Sequence, residues 1–457
     1  MNINIENTPE SHDEIGILPE YHDSINDINT NTKFYRRFLS KIKNFRLTRR
    51  NDDNKPIKDY PSWFEWVERL FYILVCYLLV VLTVYLRDQP RFGGANRTCQ
   101  KMHYSAPEIS KNNATYPFPN TFNVGRELDW SGANSPSAFQ NVQQFGTHNS
   151  YHVRNRPGSG TFWASWFFWV WPIVKKWAPS FDYEYEKFEN QLDAGYRTFE
   201  LDLHVKENGV TNYHLQMWDQ DTHCYCLGEC LQIMKRWSLD NSGHGPIIVM
   251  LEPKYKPIVE ESYTVFNKIS LESLLDVEQE IINIIGSKSL ITPDQIRIDE
   301  KTSLAESLRT RGWPSVYHLT DTFMFVLWDQ RRIRELYEAG TRGGLGRIIF
   351  TTKFIQEFDD PKIKEDNENR VVIHGDDPLD ELENVKSALS QNQLIRVRVT
   401  TQSEPNFSDD KEKIDAVIAN GQQIISADQF LDEAFEAIKV GCQVVENLGG
   451  STCLREV

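Results

Sequence analysis

The chain has 457 residues, enough for one large core plus appendages. With 50 Lys and Arg against 65 Asp and Glu, its net charge is −15. That balance excludes nucleic acid as the main partner, because counterion release needs clustered positive charge.

The first thirty residues are polar and Asn-rich, and residues 1–60 are expected to form a disordered, basic tail. From Leu70 to Leu86, "LFYILVCYLLVVLTVYL" is an uninterrupted apolar run flanked by "WFEWVER" and Arg87. It is long enough to cross a bilayer if its flanks sit at the interfaces, and it carries no polar stripe of the kind a soluble helix shows. A transmembrane signal anchor is therefore expected over 63–87; it lies too far from Met1 to be a cleaved signal peptide.

Residues 33–58 hold ten Lys or Arg against two Asp. Such an excess beside a span is retained in the cytoplasm, so the bulk of the chain is expected on the lumenal or extracellular side. The glycosylation acceptors Asn96, Asn113 and Asn406 all follow the span. So do Cys99, Cys224, Cys226, Cys230, Cys442 and Cys453, six of the seven cysteines, which suits an oxidising compartment.

After a lead-in over 88–139, short β-branched runs alternate with amphipathic stretches. "FGTHNSY", "YRTFELDLHV", "NYHLQMW", "PIIVMLEPK", "TFMFVLWD", "GRIIFTTKF", "LIRVRVTT" and "GQQIISADQF" make eight candidate strands. Helical periodicity marks "CLQIMKRWSL", "LESLLDVEQEIINIIG", "RRIRELYEAG", "DELENVKSALSQN" and "KEKIDAVIANG" between them. The expected fold is α/β, a distorted (β/α)₈ TIM barrel over 140–435, with a C-terminal extension over 436–457. An open doubly wound sheet gives a similar rhythm.

In a barrel, chemistry gathers where strands end. His148 and Asn149 close the first strand. On the second, Glu200 and Asp202 are two apart and share one face, while Phe199, Leu201 and Leu203 take the other. His214 lies in the third candidate strand, and "MLEPK" adds Glu252 and Lys254. Asn149, Glu200, Asp202 and Glu252 form an all-oxygen set suited to a hard ion such as Ca²⁺.

The ordered series "THNSYH", "QLDAGYRTFELDLHV", "YHLQMWDQDTHCYCLGECL" and "IIVMLEPK" resembles the catalytic X region of phosphatidylinositol-specific phospholipases C, most closely the Ca²⁺-dependent single-domain branch. The likeness extends to "GWPSV", "IRVRV" and "GQQIISAD", covering roughly residues 140 to 435. It implies a distorted TIM barrel. It implies attack of the inositol 2-hydroxyl on phosphorus, with loss of diacylglycerol and formation of a cyclic inositol phosphate. By the same resemblance His148 stabilises charge on the phosphate, and His214 protonates the departing glycerol oxygen. Glu200 or Glu252 acts as base, with Ca²⁺ on Asn149, Glu200, Asp202 and Glu252. Lys254, Arg396 and Arg398 are candidates for phosphate or inositol ring, with core ion pairing the alternative for the two arginines. His152, His204, His223 and His244 read as structural.

Family spacing pairs Cys224 with Cys230. Cys226 then needs another partner, with Cys99 the candidate, which leaves Cys442 with Cys453. The segment "FWASWFFWVWPIVKKW", inside an insertion over 158–179, holds five of the twelve Trp. It is too short to span, and it is expected to dip into the membrane interface beside the mouth. A domain on the outer face meets phosphatidylinositol of that leaflet or glycosylated inositol lipids. The rival readings are a glycerophosphodiesterase or sphingomyelinase D-like enzyme, and a non-catalytic lipid-binding barrel.

Overall fold

The computed structural model describes residues 126–154, 183–254, 269–358, 367–399 and 407–427, apart from positions 134, 207–208, 216–218, 329–330, 376 and 380. It also describes six positions between 70 and 78, Cys99, and two short strands near the C-terminus. The strands in chain order are β1 (Val142–Thr147), β2 (Thr198–Lys206), β3 (Gly209–Asn212), β4 (Ile247–Pro253), β5 (Leu290–Ile291) and β6 (Phe323–Leu327). Then follow β7 (Phe350–Phe354), β8 (Val372–Gly375), β9 (Leu394–Arg398), β10 (Ile424–Ala427), β11 (Gln443–Val444) and β12 (Thr452–Leu454).

Eight of these, β1, β2, β4, β6, β7, β8, β9 and β10, pair in parallel and in that order, and β10 returns to β1. The result is the closed parallel α/β barrel that the alternation predicts; an open sheet has no such return pairing. The tightest join is β1 to β2, made through Gly146 and Thr198. A Cβ on Gly146 would lie 1.7 Å from the Thr198 carbonyl oxygen, so only glycine lets the two backbones meet there. Below that point β12 runs antiparallel to β1, pairing Val142 with Leu454 and Gln144 with Thr452.

Alternation along each strand sorts the core. Phe199, Leu201, Leu203, Val249, Leu251, Phe325, Val397 and Ile425 face outward and pack with Leu231, Met234, Val277 and Ile281 of the surrounding helices. Val142, Ile248, Met250, Met324, Val326, Leu394 and Ile424 face inward and fill the lower barrel. The helix Leu271–Ile285 shows how local sequence builds the shell. Leu274, Val277, Ile281 and Ile285 recur at helical spacing and are buried, each contributing about 2 kcal/mol. Ser270 accepts from the Ser273 amide at its start, and Gly286 at φ +88° ends it.

Two strand assignments change. "NYHLQMW" is not a barrel strand: β3 stops at Asn212 and pairs antiparallel with β2, so His214 sits in the loop beyond it. Lys206 pairs with Gly209, at φ +118°, so β2 and β3 form a hairpin; a parallel neighbour needs a long crossover. The missing barrel strand is β8, four residues within "RVVIHGDD", too short to show alternation. One addition and one omission leave the expected total intact.

Leu70, Phe71, Tyr72 and Leu74 are helical and more than half exposed. No helix among the described residues is long and apolar enough to cross a membrane, and the span expected over 63–87 falls mostly outside them. The tail over 1–60, the aromatic insertion over 158–179, Cys442 and the three glycosylation acceptors also lie outside the described residues. Disulfides join Cys224 to Cys230 and Cys99 to Cys226, as expected.

Candidate active site

Inward-facing side chains turn polar at the C-terminal ends of the strands. β1 delivers His148, whose amide donates to the Ala427 carbonyl at the end of β10. The chain then turns sharply at Asn149, which takes φ +51°, a left-handed conformation that Asn tolerates better than most residues. Ser150 closes the turn by donating to the Thr147 carbonyl (2.9 Å) and accepts from the Glu200 amide (2.8 Å). "THNS" is thus a strand end and a tight turn, locked to the neighbouring strand.

The β2–β4 register places Asp202 beside Glu252, with Glu200 one inward position lower. Oxygens of all three carboxylates lie within 4.8 Å of one another. Lys254 follows β4, its ammonium 2.6 Å from Glu252 Oε1 and 3.0 Å from Asp202 Oδ2. Across the barrel, Arg396 reaches Glu200 Oε2 at 2.8 Å and Ser426 Oγ at 3.2 Å. Arg396 is 1% exposed, and its register partner His374 lies 3.3 Å away. Its guanidinium is committed inside the barrel, the core ion pairing set out above. His148 Nε2 stands 3.4 Å from Glu200 Oε1 and 3.4 Å from Arg398, which is half-buried at the mouth.

The electrostatics of the three acids differ. Burial pushes the Glu200 carboxyl up, but His148, Arg396, Lys254 and His374 together bring it below its ordinary value. Asp202 is raised, by burial first, with Lys254 opposing and Glu200 reinforcing. Glu252 is raised to about 7 by burial, with Lys254 opposing and Asp202 and Glu200 reinforcing. Asp202 Oδ2 is paired with Lys254, and among the described residues no well-formed hydrogen bond reaches Asp202 Oδ1. Close, buried, under-compensated carboxylates with an orphaned oxygen fit a hard divalent cation bound by oxygen. Asn149 stands next to them: its Oδ1 accepts from Tyr151 (3.3 Å), whose phenol is pushed well up by burial and by Asp202.

His214 is held in the loop by the bridge between Leu215 and Asp219. Its Nδ1 donates to Asp219 Oδ2 at 2.8 Å. Burial lowers the His214 imidazole, while Asp219 works the other way. Burial alone would raise Asp219, but His152 and His214 bring it down to about 2. The charge of Lys254 adds to the lowering of His214.

Sequence reasoning set His152 aside, although it stands in the same "HNSYH" as His148. It also missed Tyr183, which accepts from Asn149 Nδ2 at 3.1 Å, and the pair Trp328 and His374, whose rings lie 4.9 Å apart. The first was visible as a histidine at the end of a turn. The others come from distant segments, and only the closed barrel brings them in.

A closed parallel barrel with three clustered carboxylates and two imidazoles at the C-terminal ends of its strands and in the adjoining loop has the groups of a metal-assisted phosphodiesterase. A family model described as "Phosphoinositide phospholipase C, Ca2+-dependent" matches residues 138–211 and 204–447. The chain belongs to that family, and Ca²⁺ is its cofactor. Its activity is phosphoinositide phospholipase C-like.

Among solved structures, the chain is similar to the calcium-dependent phosphoinositol-specific phospholipase C of a Gram-negative Pseudomonas species, at 17% identity and TM-score 0.45, over 66% of this chain and 92% of that one. It is similar to the Ca²⁺-dependent phosphatidylinositol-specific phospholipase C of Streptomyces antibioticus, at 16% identity and TM-score 0.46, over 70% and 99%. A putative glycerophosphoryl diester phosphodiesterase of Silicibacter pomeroyi follows at 12% and 0.29, over 53% and 83%. No curated protein matches the sequence significantly.

Proposed function

We propose that the protein cleaves the glycerol-side phosphoester of phosphatidylinositol or of a glycosylated inositol lipid, giving diacylglycerol and a cyclic or hydrolysed inositol phosphate. One observation carries this: the Glu200, Asp202 and Glu252 oxygens lie within 4.8 Å of one another, with His148 3.4 Å from Glu200 and His214 held by Asp219. Asn149, Glu200, Asp202 and Glu252 would hold Ca²⁺, which when bound would supply charge for the phosphate and acidify the inositol 2-hydroxyl.

The protein's own groups do the rest. A carboxylate, Glu252 or Glu200, takes the proton of the 2-hydroxyl as its oxygen bonds to phosphorus. His148, placed by Glu200 and Arg398, steadies the negative charge that builds on the phosphate oxygens. The bond from phosphorus to the glycerol oxygen breaks, and His214 hands that oxygen a proton. With Nδ1 committed to Asp219, the proton comes from Nε2. Lys254 and Arg398 stand close enough to the same space to hold phosphate or ring hydroxyls.

The reading extends to place. A single-pass anchor over 63–87, a cytoplasmic N-terminus and a lumenal or extracellular, glycosylated barrel are supported by the basic flank, the acceptor sites and the two disulfides. On that side the reachable lipids are free phosphatidylinositol and glycosylated inositol lipids of the outer leaflet. The test is turnover by the full chain in mixed micelles of phosphatidylinositol, with Ca²⁺ or chelator, beside His148→Ala, and release of a glycolipid-anchored reporter in parallel. Ca²⁺-dependent formation of inositol phosphate, lost about 10²-fold or more in His148→Ala, supports the reading. Release of choline or ethanolamine instead would reject it.

A further inference from the structure

The proton scheme above leaves one polar group beside the mouth without a task. His152 is 0% exposed, and its ring lies flat on Tyr183, with centroids 3.8 Å apart and planes 10° from parallel. Nε2 stands 2.9 Å from each Asp219 oxygen, and Nδ1 stands 3.0 Å from the Tyr183 carbonyl oxygen. Carbonyl and carboxylate oxygens only accept, so whichever nitrogen carries a proton finds its acceptor already in place. Turning the ring would break its buried hydrogen bonding and the stack together.

Asp219 is the shared element. One side is gripped by His152, and its Oδ2 receives Nδ1–H of His214 at 2.8 Å. A carboxylate that cannot swing offers its neighbour one acceptor in one direction, which sets both ring orientation and tautomer. The three groups lie close enough together to hold a metal ion, yet both His152 nitrogens already face oxygens of Asp219 and Tyr183.

We propose that His152 is a positioning residue for proton donation: acting through Asp219, it fixes the orientation and tautomer of His214 as the glycerol oxygen departs. The inference rests on the reading of His214 as the proton donor. Two substrates separate the cases. Phosphatidylinositol loses an alkoxide and needs the proton; an inositol phosphate ester of an acidic phenol loses a phenolate and does not.

The test uses the full chain with Ca²⁺ and the variants His214→Ala, His152→Phe and His152→Gln, with circular dichroism and thermal midpoint reporting folding. Phe keeps a ring on Tyr183 and removes both ring nitrogens; Gln restores a donor toward Asp219. His152→Phe is expected to lower kcat on phosphatidylinositol about tenfold to a hundredfold at unchanged KM, and to act on the phenol ester at nearly the wild-type rate. His152→Gln is expected to recover most of the loss. Equal loss on both substrates, or no loss on phosphatidylinositol, overturns the proposal. Should the Phe variant fail to fold, His152→Leu, which removes the nitrogens with a smaller side chain, is read in the same way. His214→Ala keeps the two readings apart. If it loses equally on both substrates, His214 is not the proton donor and the inference falls with it. If it is selective and the His152 variants are not, only the inference fails.

Discussion

Asp202 and Glu252 stand side by side across the β2–β4 pairing and share a single ammonium, Lys254 Nζ, at 3.0 Å and 2.6 Å. One cation between two buried carboxylates leaves a surplus of negative charge, and the proton that Glu252 keeps up to about pH 7 is its expression. Binding Ca²⁺ has to displace that proton. Affinity is therefore expected to fall about tenfold for each pH unit below 7, with proton uptake by buffer on binding. Titration calorimetry in buffers of different ionisation enthalpy measures both. An affinity that is flat between about pH 6 and 8 would contradict the assignment of Glu252 as a ligand.

The same carboxyl gives stability a definite sign. Its folded pKa lies above the ordinary value of 4.5, so its contribution is complete below that value and is lost as pH rises through about 7. Metal-free protein is expected to melt lower at about pH 8 than at about pH 6, and saturating Ca²⁺ to remove the difference. Thermal scans with chelator and with Ca²⁺ check this.

Lys254→Met removes the shared cation. Without metal the two acids lose their partner, and about 3 kcal/mol of stability is expected to go with it. Ca²⁺ supplies the missing charge, so the variant should gain more on metal binding than wild type does. An equal Ca²⁺-induced shift in both proteins would show that the ammonium and the metal do not answer the same charge.

Arg396 and Glu200 form an ion pair with both side chains 2% exposed. Arg396→Met strands a buried carboxylate and is expected to cost about 3–5 kcal/mol, whereas Arg396→Met with Glu200→Gln should cost much less, since the uncompensated charge is gone. Denaturant unfolding of the single and double variants gives the coupling. Additive losses would mean that the pair matters for shape alone.

The sequence carried the acid cluster because alternation along a strand is a local rule: Glu200 and Asp202 had to share a face, and Leu201 had to take the other. It also carried His148, because a polar run closing an apolar strand marks a rim. What local rules could not supply was whether Arg396 faces a substrate or an acid. That depends on β9 standing across the barrel from β2, which no neighbour in the chain encodes. The apolar neighbours of His214 make its segment read as a strand, whereas the antiparallel Lys206–Gly209 pair, which decides the hairpin, has no periodic signal. His152 gives no local sign of its role, because its partner, Asp219, arrives from the loop that follows β3.

Gly146→Ala should test the barrel join directly. The added carbon would overlap the Thr198 carbonyl, a backbone atom that cannot step aside cheaply, so a loss of about 3 kcal/mol or more is expected. Chemical denaturation measures it, and an unchanged midpoint would mean that β1 and β2 separate without penalty.

The His148 amide bonds to Ala427, and β1 to β10, so the earliest barrel strand to be made completes its pairing with the latest. Synthesis runs from the N-terminus, and contacts between distant segments form slowly. A partly made chain has its acids and histidines but no mouth to hold them in. The mouth therefore takes shape only once β10 has been made and has joined β1.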